Sequence, residues 1–219
     1  MNNSILAVCA QSDARDPACV VVRVIVTPAL THEGLEIRGR LMGPTCLHAH
    51  TIEVAYALHP SEPLTALARI PEANLWHPVS PHLYAGPVEL WHKGRLLDRR
   101  TIRLGFRTLS LTPDGLRVNG RLLPLHTKRV TTWSEAEARA WHDAGVNVLI
   151  APAEPALFDL ADRIGFLVAC EAEAESLATV AHHPSCLGWL DAAARWSPDS
   201  PPVLASLPVE LSGLRVMGA

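Results

Sequence analysis

The sequence predicts two architectures in series, an antiparallel β-sandwich followed by a parallel α/β layer. Three observations carry this. Up to about residue 110 short runs alternate between apolar and polar residues, with Pro, Gly, His and Asn between them and no helical period. After residue 111 amphipathic helical stretches alternate with near-continuous apolar runs, the order expected of a parallel sheet covered by helices. The chain has 219 residues, 48% hydrophobic and 19% charged, enough for one large domain or two ordinary ones with a sizeable core. The domains are placed at 1–110 and 111–219.

In chain order, "VVVRVIV", "GLEIRGRLM", "TIEVAYAL", "LTALARI", "HLYAGPVELW" and "RRTIRLGF" are the expected sandwich strands. "WHKGRLLD" contains a hairpin turn in which Gly94 can take a positive φ. "PDG" and "NG" mark a small hairpin near residue 115. A helix follows in "WSEAEARAWHDAG". Ser134 and Glu137 have capping-box spacing, and Gly145 stands at the exit. "VNVLIA" is a buried strand. "EPALFDLADRIG" is a second helix, with Pro155 in its first turn and Gly165 at its end. "FLVAC" is the next strand. With "RLLPL", "CLGWL" and "VLASL", five parallel strands are expected.

Composition excludes several classes. The net charge is −3, with no basic footprint for nucleic acid. No apolar run is long enough for a membrane-spanning helix, and the first residues lack the charged region and cleavage site of a secretion signal. A cytoplasmic protein is expected. Five widely spaced cysteines without a C-x-x-C argue for reduced thiols. There is no P-loop, G-x-G-x-x-G or G-x-S-x-G, so no cofactor is expected. His48 and His50 could share one face of a strand and His182 and His183 are adjacent, yet a metal centre needs three or four converging ligands. Surface histidines are expected, with His183 in the turn before a strand, and no metal. Trp76 and Trp91 are expected in or beside the sandwich core, and Trp141 on the buried face of its helix. Arg107 in "GFR" is expected to make a salt bridge or hydrogen bonds at the domain junction.

Four runs together resemble a known family. "NLWHPVSPHLYAGPVELWHKGRLLDRRTIRLGFRTLSLTPDGLRVNGRLLPL", "AGVNVLIAPAEPALFDLADRIGFLVACEAE", "HHPSCLGWL" and "SPDSPPVLAS" are similar, in order and spacing, to segments of glycoside hydrolase family 2, the β-galactosidases, β-glucuronidases and β-mannosidases. The resemblance covers roughly residues 70–205. It implies an immunoglobulin-like sandwich followed by an incomplete, half TIM-type (β/α) barrel, and a sugar site at the carboxyl ends of the barrel strands.

The departures concern the catalytic positions. In the family the strand after "HPS" ends in Asn-Glu, the Glu being the general acid/base. Those positions are Ala193 and Ala194 here. The family's Arg and His after the second barrel strand fall on the run Ile150, Ala151, Pro152 and Ala153. The nucleophilic Glu belongs to a later strand than this sequence reaches, and the sugar-binding domain that precedes the family's sandwich has no counterpart. Glycoside hydrolysis uses two carboxyl groups, about 5–5.5 Å apart when the configuration is retained and about 6.5–9.5 Å when it is inverted. An alanine methyl does neither task. Glu171 is the best substitute carboxylate; it follows "FLVAC" and matches an acidic pocket residue of the family. Trp189 and Trp196 are, with Glu171, the expected substrate contacts.

The expectation is therefore a catalytically inactive, family 2-like binding or interaction module. The alternative is a small active glycosidase with displaced carboxylates, and a third reading is a fragment without a role. Carbohydrate, a second copy of the chain or a carbohydrate-active enzyme are the expected partners, and not nucleic acid or membrane. An open five-stranded sheet leaves two unpaired edges. Self-covering by the tail and a homodimer are both open remedies.

Overall fold

A computed structural model describes residues 4–14, 18–31, 33–112, 114–170 and 179–189. They fall into two compact units. The first comprises Met1–Cys46, His50–Asn74 and His82–Phe106; the second comprises Leu47–Ala49, Leu75–Pro81 and Arg107–Ala219. The described residues are mostly β, with two helices.

The first unit contains β1 (Ile5–Asp13), β2 (Cys19–Pro28), β3 (Leu35–Thr45), β4 (Val54–Ala57), β5 (His59–Glu62), β6 (Thr65–Pro71), β7 (Leu83–His92) and β8 (Arg95–Leu104). They form two four-stranded antiparallel sheets, in the orders β1-β2-β6-β5 and β4-β3-β7-β8. The period of two in the sequence becomes the inside–outside alternation. Val20, Val22, Val24 and Val26 are buried in β2, and Ala66, Ala68 and Ile70 in its neighbour β6. Ile37 and Leu41 of β3 and Leu83, Tyr84, Val88 and Leu90 of β7 are buried. Each such Val, Ile or Leu side chain contributes roughly 1.5–3 kcal/mol on burial, and the alanines less. The β7–β8 hairpin turns at Lys93 and Gly94, with φ of 47° and 77°, the two positive values of a type I′ turn. β1 is a full strand paired along β2, and the series of expected sandwich strands did not include it.

The second unit opens with β9 (Leu109–Thr112), β10 (Gly115–Val118) and β11 (Arg121–Leu122), an antiparallel sheet whose second turn, Asn119–Gly120, again has two positive φ values. Then come β12 (Thr127–Arg129), α1 (Glu135–Asp143), β13 (Val148–Ala151), α2 (Pro155–Ile164), β14 (Leu167–Cys170) and β15 (Cys186–Trp189). The last four strands form a parallel sheet in sequential order, β12-β13-β14-β15. β13 and β14 are buried at every residue, as strands covered on both faces must be.

Helix ends follow their sequence signals. Ser134 caps α1, and its own N–H donates to the Glu137 carboxylate, completing the capping box. Trp133 and Ala138, at the N′ and N4 positions of that helix, are both buried in the core cluster of α1, α2 and the parallel strands. Pro155 starts α2, and Gly165 ends it at φ 102°. A Cβ on Gly165 would lie 2.0 Å from the carbonyl oxygen of Pro78, so both the conformation and the space require glycine.

Several expectations need correction. "RLLPL" is not the first parallel strand; Arg121–Leu122 pairs antiparallel with β10, and the parallel sheet begins at Thr127. The Asn119–Gly120 turn folds that run back on β10 before the chain can start a parallel strand. His48 lies in a turn and His50 in the irregular stretch after it, so neither is on a strand. Trp76 is fully buried in the second unit, not in the sandwich, because its indole finds a partner there. Trp91 lies on the outer face of its sheet under the Arg38 guanidinium, 4.6 Å from the ring centroid. The "VLASL" run, expected as a fifth strand, lies outside the described residues.

Candidate functional site

The parallel sheet aligns its carboxyl ends. Val130 N–H donates to the Ile150 carbonyl, Ala151 pairs with Cys170, and Cys170 pairs with Trp189. One row therefore carries the ends of β12 to β15, the side of α/β sheets where ligands bind. Of the expected site residues, Trp189 closes this row through its backbone, and its side chain is outside the described set. Glu171, Ala193, Ala194 and Trp196 lie outside the described residues.

The described part of the row is apolar. Ile150 and Ala151 are 3% and 0% exposed, and Pro152 and Ala153 continue the run. Cys170 is fully buried, and its thiol is pushed upward by its hydrogen bond with Cys186 and by burial. It stays protonated, so it is not a nucleophile. In β12, Lys128 lies 4.8 Å from the centroid of the Trp141 ring of α1. Trp141 packs, partly buried, against the core cluster, while Trp133 Nε1 is buried without a hydrogen-bond partner among the described residues. Nothing in this described stretch donates or accepts a proton near neutral pH at the positions where the sequence resemblance expects Arg and His.

The polar chemistry gathers at the opposite end of the strands. Asp162, near the end of α2, and His183, before β15, are 2% and 7% exposed. The carboxylate accepts from His183 Nδ1 at 2.6 Å through Oδ2, and from the Ser185 N–H at 2.9 Å through Oδ1. Trp76 Nε1 donates to the Asp162 carbonyl at 2.9 Å, and Asn119 Nδ2 donates to the Trp76 carbonyl at 3.0 Å. The His183 ring packs on Phe158 at 5.4 Å. His183 lies in the turn before a strand, as expected, and it is interior there because a buried carboxylate needs its donors.

Arg107 is buried beside this pair. It donates to the Cys186 carbonyl and lies 5.7 Å from the centroid of Trp76. Its Nε and Nη1 have no hydrogen-bond partner among the described residues. Burial lowers its pKa to about 10, opposed by the Cys186 and Asp162 charges. The expected contact of Arg107 is thus a hydrogen bond to the start of β15.

Asp159, Asp162 and His183 each place one potential metal-ligand atom within 4.8 Å of the others. Both Asp162 oxygens already accept hydrogen bonds, so the arrangement serves as a buried anchor for the turn preceding β15. Sequence reading missed Asp162 as its organising residue. The available signal was an acid on the apolar face of "ALFDLADRI", followed 21 positions later by a histidine before a strand.

Residues 44–107 match the profile of the family described as glycosyl hydrolases family 2. A putative beta-glucuronidase of Formosa agariphila is 29% identical over 115 residues, which is 43% of this chain and 11% of that protein. Among solved structures, an FMN-binding beta-glucuronidase from Facaelibacterium prausnitzii L2-6 superposes with a TM-score of 0.66 at 16% identity, over 86% of this chain and 35% of that one. The Parabacteroides merdae beta-glucuronidase gives 0.64 at 17% identity, over 86% and 29%. The chain is glycoside hydrolase family 2-like; it spans about a tenth of the length of the curated relative and about a third of these solved chains.

Proposed function

We propose that this chain is a glycoside hydrolase family 2-like module that binds carbohydrate or a carbohydrate-active partner and does not hydrolyse glycosides. The observation that carries the reading is the end of β13. Where the family motif supplies Arg and His, this chain has buried, apolar Ile150 and Ala151 followed by Pro152 and Ala153. The sequence adds Ala193 and Ala194 at the Asn-Glu positions, which removes the proton donor that the reaction requires. The parallel strands and their sequential order support the start of a (β/α) barrel, with an immunoglobulin-like sandwich before it.

The alternative, a small active glycosidase working through Glu171 and a second carboxylate, draws on the likeness to beta-glucuronidases alone, and a shared fold is a weak warrant for activity. Titration calorimetry with the simple sugars and aryl β-glycosides of glucuronic acid, galactose, mannose and glucose, with product assayed in the same cell, separates the readings. Our reading expects heat of binding to glycoside or partner without product. Product whose formation requires Glu171 would establish the alternative.

A further inference from the structure

Two thiols with no role in the proposal above meet in the core of the second unit. Cys170 ends β14, and Cys186 begins β15, its parallel neighbour. Both are buried, and both belong to the cluster that packs the strands against α1 and α2, so they share the helix-covered face of the sheet. They are hydrogen-bonded to each other. That bond, the charge of Arg107 and the Gly188 N–H together hold the Cys186 thiol below its ordinary value, against the opposing effect of burial. The proton between the sulfurs stays on Cys170.

The register puts Cys186 opposite Val168, two residues short of Cys170. With strands about 4.8 Å apart and a rise of about 3.3 Å per residue, the two Cα atoms stand roughly 8 Å apart. A disulfide needs a Cα separation of about 4.4–6.8 Å, so this pair is set wide for one. An ion between the sulfurs spans more, because two metal–thiolate bonds of about 2.3 Å in line reach roughly 4.6 Å.

Arg107 gives an independent sign of a missing negative charge. It is 5% exposed, and while it donates to the Cys186 carbonyl, its Nε and Nη1 have no hydrogen-bond partner among the described residues. A buried cation with two unused donors suits a neighbour of net negative charge. A neutral pair of thiols does not supply one. Two thiolates around a monovalent cation do.

We propose that Cys170 and Cys186 bind a soft monovalent metal ion, copper(I), held between their two sulfurs. The ion displaces both thiol protons, which leave to solvent, and the Arg107 guanidinium balances the one negative charge that the bis-thiolate complex carries. Thiolates select copper(I) over harder cations. Structural zinc takes four ligands, and among the described residues the group of three candidate ligands, Asp159, Asp162 and His183, contains neither cysteine. The site is independent of whether the chain binds or cleaves glycosides.

Titration of the reduced full chain with copper(I) without oxygen, in competition with bathocuproine disulfonate, tests it. Cys9, Cys19 and Cys46 are free thiols of the first unit and provide the control. One ion per chain is expected in the parent and in the Cys9→Ser/Cys19→Ser/Cys46→Ser variant. Cys170→Ala and Cys186→Ala should each weaken binding by more than the roughly 10–100-fold that losing an outer-shell partner costs. Thermal melting confirms that each variant is folded. X-ray absorption of the loaded parent reads the site without any substitution and should find two sulfur neighbours and no nitrogen. No uptake by the parent, uptake unchanged in a folded Cys170→Ala or Cys186→Ala variant, or a nitrogen or third sulfur on the ion would overturn the site. Zinc bound as tightly as copper(I) would overturn the assignment of the ion.

Discussion

Asp162 and His183, 21 residues apart, meet in the interior at 2.6 Å, and the same carboxylate holds the Ser185 N–H that begins the approach to β15. The pair ties the end of α2 to the fourth parallel strand. Removing one member leaves a buried polar group without its partner. Asp162→Ala is expected to destabilise the second unit by about 3–5 kcal/mol. Asp162→Asn, which keeps a carbonyl acceptor, should cost less. Urea denaturation followed by tryptophan fluorescence reads both; equal stability of Asp162→Ala and the unaltered chain would remove the anchor role.

Gly165 is the second fixed point of this unit. Alanine there meets the Pro78 carbonyl and an unfavourable φ. Gly165→Ala should lower stability by more than about 1 kcal/mol. Gly94→Ala is the comparison: nothing lies within 4 Å of a Cβ there, so that variant bears the φ cost alone and should be the milder of the two by thermal melting.

Acid should loosen the first unit in two stages. Burial lowers the pKa of His82 below 6.5, so the fold favours the neutral ring, and that contribution fades as pH falls from about 6.5. The Asp98 carboxylate is held low by hydrogen bonds from the Ile5 and Arg99 N–H groups. Its contribution is complete above the usual carboxyl range near pH 4 and is lost as pH falls through the lowered folded value. Asp98→Asn should therefore be less stable than the unaltered chain at pH 7, and the gap should narrow below about pH 4. Urea midpoints from pH 8 to 3 measure it; a gap that stays constant with pH would contradict the role of the charge.

Restoring one glutamate should not restore chemistry. Ala194→Glu puts a carboxyl group where the family resemblance of the sequence expects the acid/base, yet glycoside cleavage needs a second carboxyl group and an oriented sugar. Ile150 and Ala151 supply no donor. The variant is expected to show no turnover of aryl β-glycosides above that of the parent. Appearance of activity on this single substitution would mean that the rest of the catalytic machinery is in place.

What the sequence revealed follows from how local each signal is. The Lys93–Gly94 hairpin, the Ser134–Glu137 capping box, and the Pro155 and Gly165 ends of α2 are fixed by neighbours within a turn or two, and each was readable. β1 was obscure because its exposed positions carry Leu6 and Cys9 among polar residues, and only its pairing with β2 makes it a strand. The run at 121–125 looked parallel because its apolar pattern does not show which neighbour it pairs with; the Asn119–Gly120 turn decides that. Trp76 and Asp162 are 86 positions apart, and no spacing rule brings them together. Of the candidate site, the apolar Ile150–Ala153 run was legible outright. The buried state of His183 was not, because it depends on a carboxylate supplied by another element.

The central claim concerns turnover. The most direct test is release of 4-nitrophenol from 4-nitrophenyl β-glucuronide, β-galactoside, β-mannoside and β-glucoside by the purified chain, beside its Glu171→Ala variant. The account predicts release equal to that of buffer for both proteins on every substrate. Release that rises in proportion to protein concentration and disappears in Glu171→Ala would contradict it, and would place an active glycosidase acid at the end of β14.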